Sequence, residues 1–134
     1  MKAKSGFTLV EILIVVVILG ILAAIVIPQF TDASTEAKTS SLASNLQMLR
    51  AQIELYKIQH NDNPPSGVGA TFIAQLTDTT DVNGAASGSD FGPYMRDIPV
   101  EPFTNVATVS ASGTTGWNYT VATGEIWAPY DPNY

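Results

Sequence analysis

Between Glu11 and Asp32 the chain carries no charge at all, and residues Ile12 to Ile27 read ILIVVVILGILAAIVI. Few folds accept such a stretch. A helix from Phe7 to Phe30 has 24 residues and a length of about 36 Å, enough for a hydrocarbon core about 30 Å thick. Three plain readings compete: a cleaved secretory signal peptide, a simple membrane anchor, and a buried core helix. The basic start at Lys2 and Lys4 suits a signal peptide. The end does not, because a cut after Ala23 or Ala24 puts Ile21 or Leu22 where a small residue is wanted. The positive-inside rule leaves Met1 in the cytoplasm and places the C-terminal part across the membrane.

Composition matters because it is uneven. Apolar residues make up 46% of the 134 and charged residues 13%, and the imbalance lies in this one segment. Formal net charge is −6, so phosphate backbones are repelled and no nucleic-acid partner is expected. There is no cysteine, which removes disulfides, thiol catalysis and thiolate metal sites.

Glu11 separates the plain readings from a special one. A carboxylate at the edge of a membrane helix costs free energy, and an anchor with no other duty does not need it. Lys4-Ser5-Gly6-Phe7-Thr8-Leu9-Val10-Glu11, followed by the apolar run, resembles the class III signal of type IV pilins and pseudopilins. The resemblance implies that a prepilin peptidase cuts between Gly6 and Phe7 and N-methylates Phe7. It implies that Glu11 meets the Phe7 amine of a neighbouring subunit and sets the register of a filament. Buried, each charge alone would be costly, whereas paired they largely cancel. Removal of the leader also takes Lys2 and Lys4, two of the six basic residues.

Gly20 and Pro28 weaken the helix, by about 1 kcal/mol and about 3 kcal/mol. A harmless kink is one reading, since membrane helices tolerate both. The other, implied by the resemblance, is a stretch between them that melts and extends on assembly.

From Ser34 the pattern becomes amphipathic. Leu42, Leu46, Leu49, Ile53 and Tyr56 form one stripe, expected to pack on a sheet. Asn61, Asn63, Pro64 and Pro65 end the helix. The whole helix, Thr8 to His60, comes to about 80 Å. Residues 53 to 65, IELYKIQHNDNPP, resemble the major pseudopilin of type II secretion and its short pilin relatives. Four segments are expected: a cleaved leader 1–6, a transmembrane and filament-core helix 7–30, an amphipathic head helix 31–61, and a loop-rich sheet 62–134. The fold class is α+β, a long N-terminal helix on a small antiparallel sheet.

In the head, Phe72 to Leu76 suits a short helix, and Thr77 to Asp90 reads as a loop. Phe91 to Met95 and Ile98 to Phe103 are proline-punctuated and extended, and Val106 to Val109 suits an edge strand. The clearest hairpin joins Gly116–Ala122 to Glu125–Ala128 through Thr123-Gly124. That loop sets Val121 opposite Ile126 and puts Trp117, Tyr119, Val121, Ile126 and Ala128 on one face, over Leu46, Leu49 and Ile53. Thr123 suits positive φ poorly, which leaves the register open by one. Trp127 points the other way, and Pro129 to Tyr134 is expected to fold over it. Asn118-Tyr119-Thr120 fits a glycosylation sequon but sits in a strand.

Major pseudopilins hold calcium in a C-terminal loop. Here Asp131 alone is no site, since calcium wants about six to eight oxygens. The loop with Asp78, Asp81 and Asp90 is read as solvated, with calcium as the alternative and no other cofactor expected. His60, the single histidine, is read as a surface residue near the helix C-terminus. No nucleophile or metal-ligand constellation points to an enzyme.

The resemblance thus implies a structural filament subunit with identical subunits, an assembly platform protein and an ATPase as partners. It would be stored in the inner membrane with its head outside the cytoplasm. A type II secretion pseudopilus is favoured. A surface pilus for adhesion, motility or DNA uptake is the alternative, and a membrane-tethered binding module is a third.

Overall fold

The computed structural model describes residues 6–130. Helix α1 runs from Leu9 to Gln59, α2 from Ala70 to Thr77, and three short strands follow: β1 (Val109–Ser110), β2 (Trp117–Thr120) and β3 (Glu125–Trp127). Contacts divide the chain into two units, one ending at Ala37 and the other beginning at Lys38.

In the first unit α1 is unbroken through Gly20 and Pro28. Proline supplies no amide to the Ala24 carbonyl. One turn on, the Thr31 hydroxyl donates back to the Ile27 carbonyl at 3.1 Å. An 18-residue window of α1 has mean hydropathy 3.3 and none of it is buried within the chain. It is therefore long and apolar enough to cross a membrane.

The second unit is built on the rest of α1. Its buried residues are Leu42, Leu46, Leu49, Ile53 and Tyr56, the stripe that the 4-3-4-3 spacing predicts. Phe72 and Leu76 of α2 and Val109, Trp117, Tyr119, Ile126 and Ala128 of the sheet region close over it in one core. Side chains flanking the stripe tie the helix to this cover. The Arg50 guanidinium donates to the Ile126 carbonyl at 3.2 Å, Asn45 to the Val100 carbonyl at 3.2 Å, and Tyr94 to Gln59 at 2.7 Å.

The α+β architecture stands, but the sheet is mixed where a wholly antiparallel one is expected. Strands lie in the order β1-β2-β3, with β1 parallel to β2 and β3 antiparallel to it. A parallel neighbour ordinarily needs a crossover of about a dozen residues. Here β1 is only two residues long, so a short connection returns to its starting end. Asn118 holds that connection from inside, accepting from Ser110 at 3.3 Å and donating to the Gly113 carbonyl at 3.1 Å. Gly116 takes φ +69°, and a Cβ there would run into the Thr108 carbonyl. The edge strand begins at Val109, while Val106 forms only a bridge with Glu101.

The hairpin register also differs. Tyr119 pairs with Ile126 and Thr120 with Glu125, so Val121 to Gly124 form a four-residue loop. A two-residue loop of the favoured type needs positive φ at both positions. The longer loop asks it only of Gly124, at +76°, whose amide donates to the Thr120 carbonyl at 2.8 Å. Val121 consequently leaves the inner face and is 38% exposed, while Trp117, Tyr119, Ile126 and Ala128 remain buried.

His60 is 1% exposed, not a surface residue. It lies four positions after Tyr56 on the buried stripe, and its ring stacks on the Tyr56 ring at 3.7 Å. Nδ1 is 2.8 Å from the Tyr56 carbonyl and must donate there, since a carbonyl only accepts. In the neutral ring Nε2, 3.0 Å from Thr80 Oγ1, then accepts the hydroxyl proton. The loop after α2 thus seals the end of α1, with the Phe91 ring against the imidazole edge at 5.4 Å.

Candidate processing and assembly site

Gly6 and Phe7 precede the first turn of α1, and Phe7 is 81% exposed. A Cβ at Gly6 would meet nothing within 4 Å, and neither would one at Gly20. Packing within this chain therefore does not require glycine at either position.

Thr8 and Glu11 form a reciprocal cap at the start of α1. The Glu11 amide donates to Thr8 Oγ1 at 3.2 Å, and Glu11 Oε2 accepts from both the Thr8 amide and the Thr8 hydroxyl at 2.8 Å. This is a capping box, which satisfies donors that a helix N-terminus otherwise leaves open. Glu11 Oε1 takes no hydrogen bond among the described residues. The carboxylate thus has one oxygen committed to its own helix and one open. Among the described residues, the side-chain hydrogen bonds of Glu11 go to Thr8 and none to Phe7. Thr8 is the residue whose part sequence reasoning missed, although the Thr8-x-x-Glu11 spacing is itself the capping signature. Gly20 and Pro28 lie within continuous helix.

In the head, Glu101 is 0% exposed. Oε1 accepts from the Phe103 amide at 3.0 Å, and Oε2 accepts from the Thr104 amide at 2.6 Å and the Thr104 hydroxyl at 2.5 Å. Thr104 Oγ1 in turn accepts from the Gly116 amide at 3.0 Å. A carboxylate so fully supplied with donors closes the 101–106 turn and is a structural group.

In the loop of Asp78, Asp81 and Asp90, one carboxylate is engaged by its own backbone. Asp81 Oδ1 accepts from the Asn83 and Ala85 amides at 2.9 and 2.8 Å, holding its own loop. Among the described residues no three His, Cys, Asp or Glu side chains gather as a metal set. Asp131 and Tyr134 lie outside the described residues, as does most of the segment expected to cover Trp127. Tyr130 lies beside Phe103, with ring centroids 6.2 Å apart. Asn118 is 5% exposed, with its amide engaged as described above.

Comparison with known proteins bears on both ends of α1. Residues 1–27 match the family model described as the prokaryotic N-terminal methylation motif. Type II secretion system core protein G of Pseudomonas aeruginosa is 33% identical over 115 residues, 86% of this chain and 79% of that protein. The proteins of the same name from Klebsiella pneumoniae and Aeromonas hydrophila are each 30% identical. They cover 77% and 86% of this chain, and 71% and 78% of their own lengths. No solved structure matches. The aligned region extends far past the motif into the head, and with it the chain belongs to the type II secretion core protein G family, the major pseudopilins, as a structural subunit of a type IV pilus-like filament.

Proposed function

We propose that this chain is the pseudopilin of a type II secretion pseudopilus. It is made as a precursor with a leader at residues 1–6 and held in the inner membrane by residues 7–30. Residues 31–61 and 62–134 form a head outside the cytoplasm. A prepilin peptidase cuts between Gly6 and Phe7 and N-methylates the new Phe7 amine. An assembly platform protein and an ATPase then drive identical copies into a filament. The chain does no chemistry of its own; processing is done to it.

The observation that carries this reading is Glu11. It is the only charge on an apolar segment of more than 20 residues, it stands in the first turn of α1, and its Oε1 is open. An exposed methylated amine at Phe7 of a neighbour supplies the countercharge that makes such a group tolerable away from water. A copy out of register leaves two charges unpaired, so the pair contributes specificity more than net stability. Stretching between Gly20 and Pro28 would let subunits rise along the filament, helped by the missing amide at Pro28.

The test is Glu11→Ala in the full chain with its own machinery. Processing and membrane insertion should stay normal while filament yield collapses. A normal yield would refute the register role. Abundant micrometre-long surface fibres at native expression would point to a surface pilin instead.

A further inference from the structure

A cavity of about 440 Å³ opens in the head where the end of α1, the loop 81–84 and the tip of the β2–β3 hairpin meet. Its size lies within the range of about 300–1,000 Å³ typical of small-molecule sites. The filament reading makes no use of it. Asn61 and Asp62 turn the chain off α1 at φ +54° and +64°, the left-handed conformation that their short polar side chains tolerate. The four-residue hairpin loop turns Val121 outward, and Val121 and Val82, 38% and 40% exposed, both line the opening.

One group in this cavity is left without a partner. Tyr56 is 1% exposed, with its ring stacked on His60 at 3.7 Å. Its hydroxyl lies against Gly84, so close that a Cβ there would run into it, and it makes no hydrogen bond among the described residues. Yet no fully enclosed side-chain N or O among the described residues lacks a partner. The Tyr56 oxygen therefore reaches open space, and the cavity that its side chain lines is where it does so. A largely buried hydroxyl left unpaired is costly, so the site calls for a polar guest.

The remaining walls define which kind. Ser66 Oγ accepts from Gln75 at 2.9 Å and keeps its own proton to donate. Asn63 commits Nδ2 to the His60 carbonyl at 2.9 Å, and its Oδ1 remains an acceptor. The exposed side-chain amides of Asn61 and Asn83 offer donors and acceptors alike at the mouth. No Lys, Arg, Asp or Glu lines the cavity, so an ion would find no countercharge there. Asp81 stands near enough for its charge to raise the Tyr56 hydroxyl, which disfavours an anion further.

We propose that this cavity binds an uncharged saccharide, free or as one unit of a longer glycan. Its hydroxyls meet Tyr56, Ser66 and the asparagine amides, and its C–H face lies against Val82 and Val121. A sugar carries what these walls lack: neutral hydroxyls that both donate and accept, beside an apolar face. A wholly apolar ligand would leave the Tyr56 hydroxyl and the amides unpaired. The proposal is independent of the filament reading.

The test uses the full chain, solubilised in a detergent without a sugar headgroup. Saturation-transfer NMR reads the binding of glucose, N-acetylglucosamine and its β-1,4-linked trimer, with glucuronate and an end-capped triglycine as controls. Saturable transfer to at least one neutral sugar is expected, with a Kd of about 1–10 mM or tighter, and a weaker response from both controls. A trimer that binds more tightly than its monomer assigns the site to a glycan chain; equal affinities assign it to a free sugar. Tyr56→Phe removes only the hydroxyl and should weaken binding about fivefold, the loss of one hydrogen bond. Val121→Arg, at an exposed position, should abolish binding by filling the opening. Thr114→Arg, in the exposed loop before β2, should leave it unchanged. No saturable transfer to any neutral sugar, a control that binds as tightly as the sugars, or binding that survives Val121→Arg would each overturn the proposal.

Discussion

Replacing Glu101 should cost the head a large part of its stability, and the size follows from what its carboxylate holds. Three donors point at it: the Phe103 amide, the Thr104 amide and the Thr104 hydroxyl. Hydrogen bonds to a charged group contribute about 1.5–3 kcal/mol each. Phe103 and Thr104 are only partly buried, so water recovers some of the loss in a variant. Thr104 also keeps its contact with the Gly116 amide. Glu101→Ala is therefore expected to cost about 3 kcal/mol, a serious fraction of the roughly 5–15 kcal/mol of a small domain.

Glu101→Gln keeps the volume and one acceptor oxygen but turns an NH2 toward the remaining donors. About half the loss is expected. Trp117 is fully buried, with its indole donating to the Pro99 carbonyl at 2.7 Å. Its fluorescence during urea unfolding of the detergent-solubilised full chain follows this neighbourhood directly. With a slope of about 1.5 kcal/mol per molar urea, the Ala variant should lose about 2 M in midpoint and Gln about half of that. A loss under 0.5 M for Ala, or equal losses for both, would show that the carboxylate is not what closes the turn.

Thr80→Val preserves volume but strands His60 Nε2 in the core, which should cost about 1–2 kcal/mol in the same urea assay; an unchanged midpoint would mean that the ring packs without needing that bond. Burial pushes the Tyr56 hydroxyl up to about 12 from its ordinary 10.0 and raises the Tyr119 and Tyr94 hydroxyls as well. Because the folded state favours the protonated phenols, their contribution is complete below pH 10 and is lost as pH rises from 10 through about 12. Urea midpoints should therefore fall over that window and fall less steeply in Tyr56→Phe, and a midpoint flat to pH 11.5 would contradict the burial argument.

Much of the head was legible because α1 announces its inner side by spacing alone. Leu42 to Tyr56 recur at helical intervals along α1. His60 continues the same stripe, yet its polarity argues for solvent. Only the later loop, bringing Thr80 and Phe91 to the ring, makes burial affordable. Glu101 gave no warning at all, since a carboxylate becomes a core residue only when two amides and a hydroxyl from the following turn converge on it. The hairpin register turned on Thr123, whose reluctance to take positive φ was visible, but the outcome depended on Gly124 bearing that conformation alone. At the N-terminus the capping residues were in plain view as Thr8 and Glu11. Glu11 there serves its own helix first, closing the cap with Thr8.

If Glu11 also serves the proposed register, the cap bears on how fast a filament can grow. If the carboxylate had to abandon one partner before greeting the next, every incoming copy would pass through a moment with an orphaned anion and a frayed first turn, and the step would be slow and error-prone. On the proposed register role, Glu11 would instead act as a socket with two ports, Oε2 held by Thr8 and Oε1 open among the described residues. Docking would then be an addition, not an exchange. On that proposal a waiting subunit would remain fully wound until a correctly placed amine arrived, and one that arrived out of place would leave without anything having been dismantled.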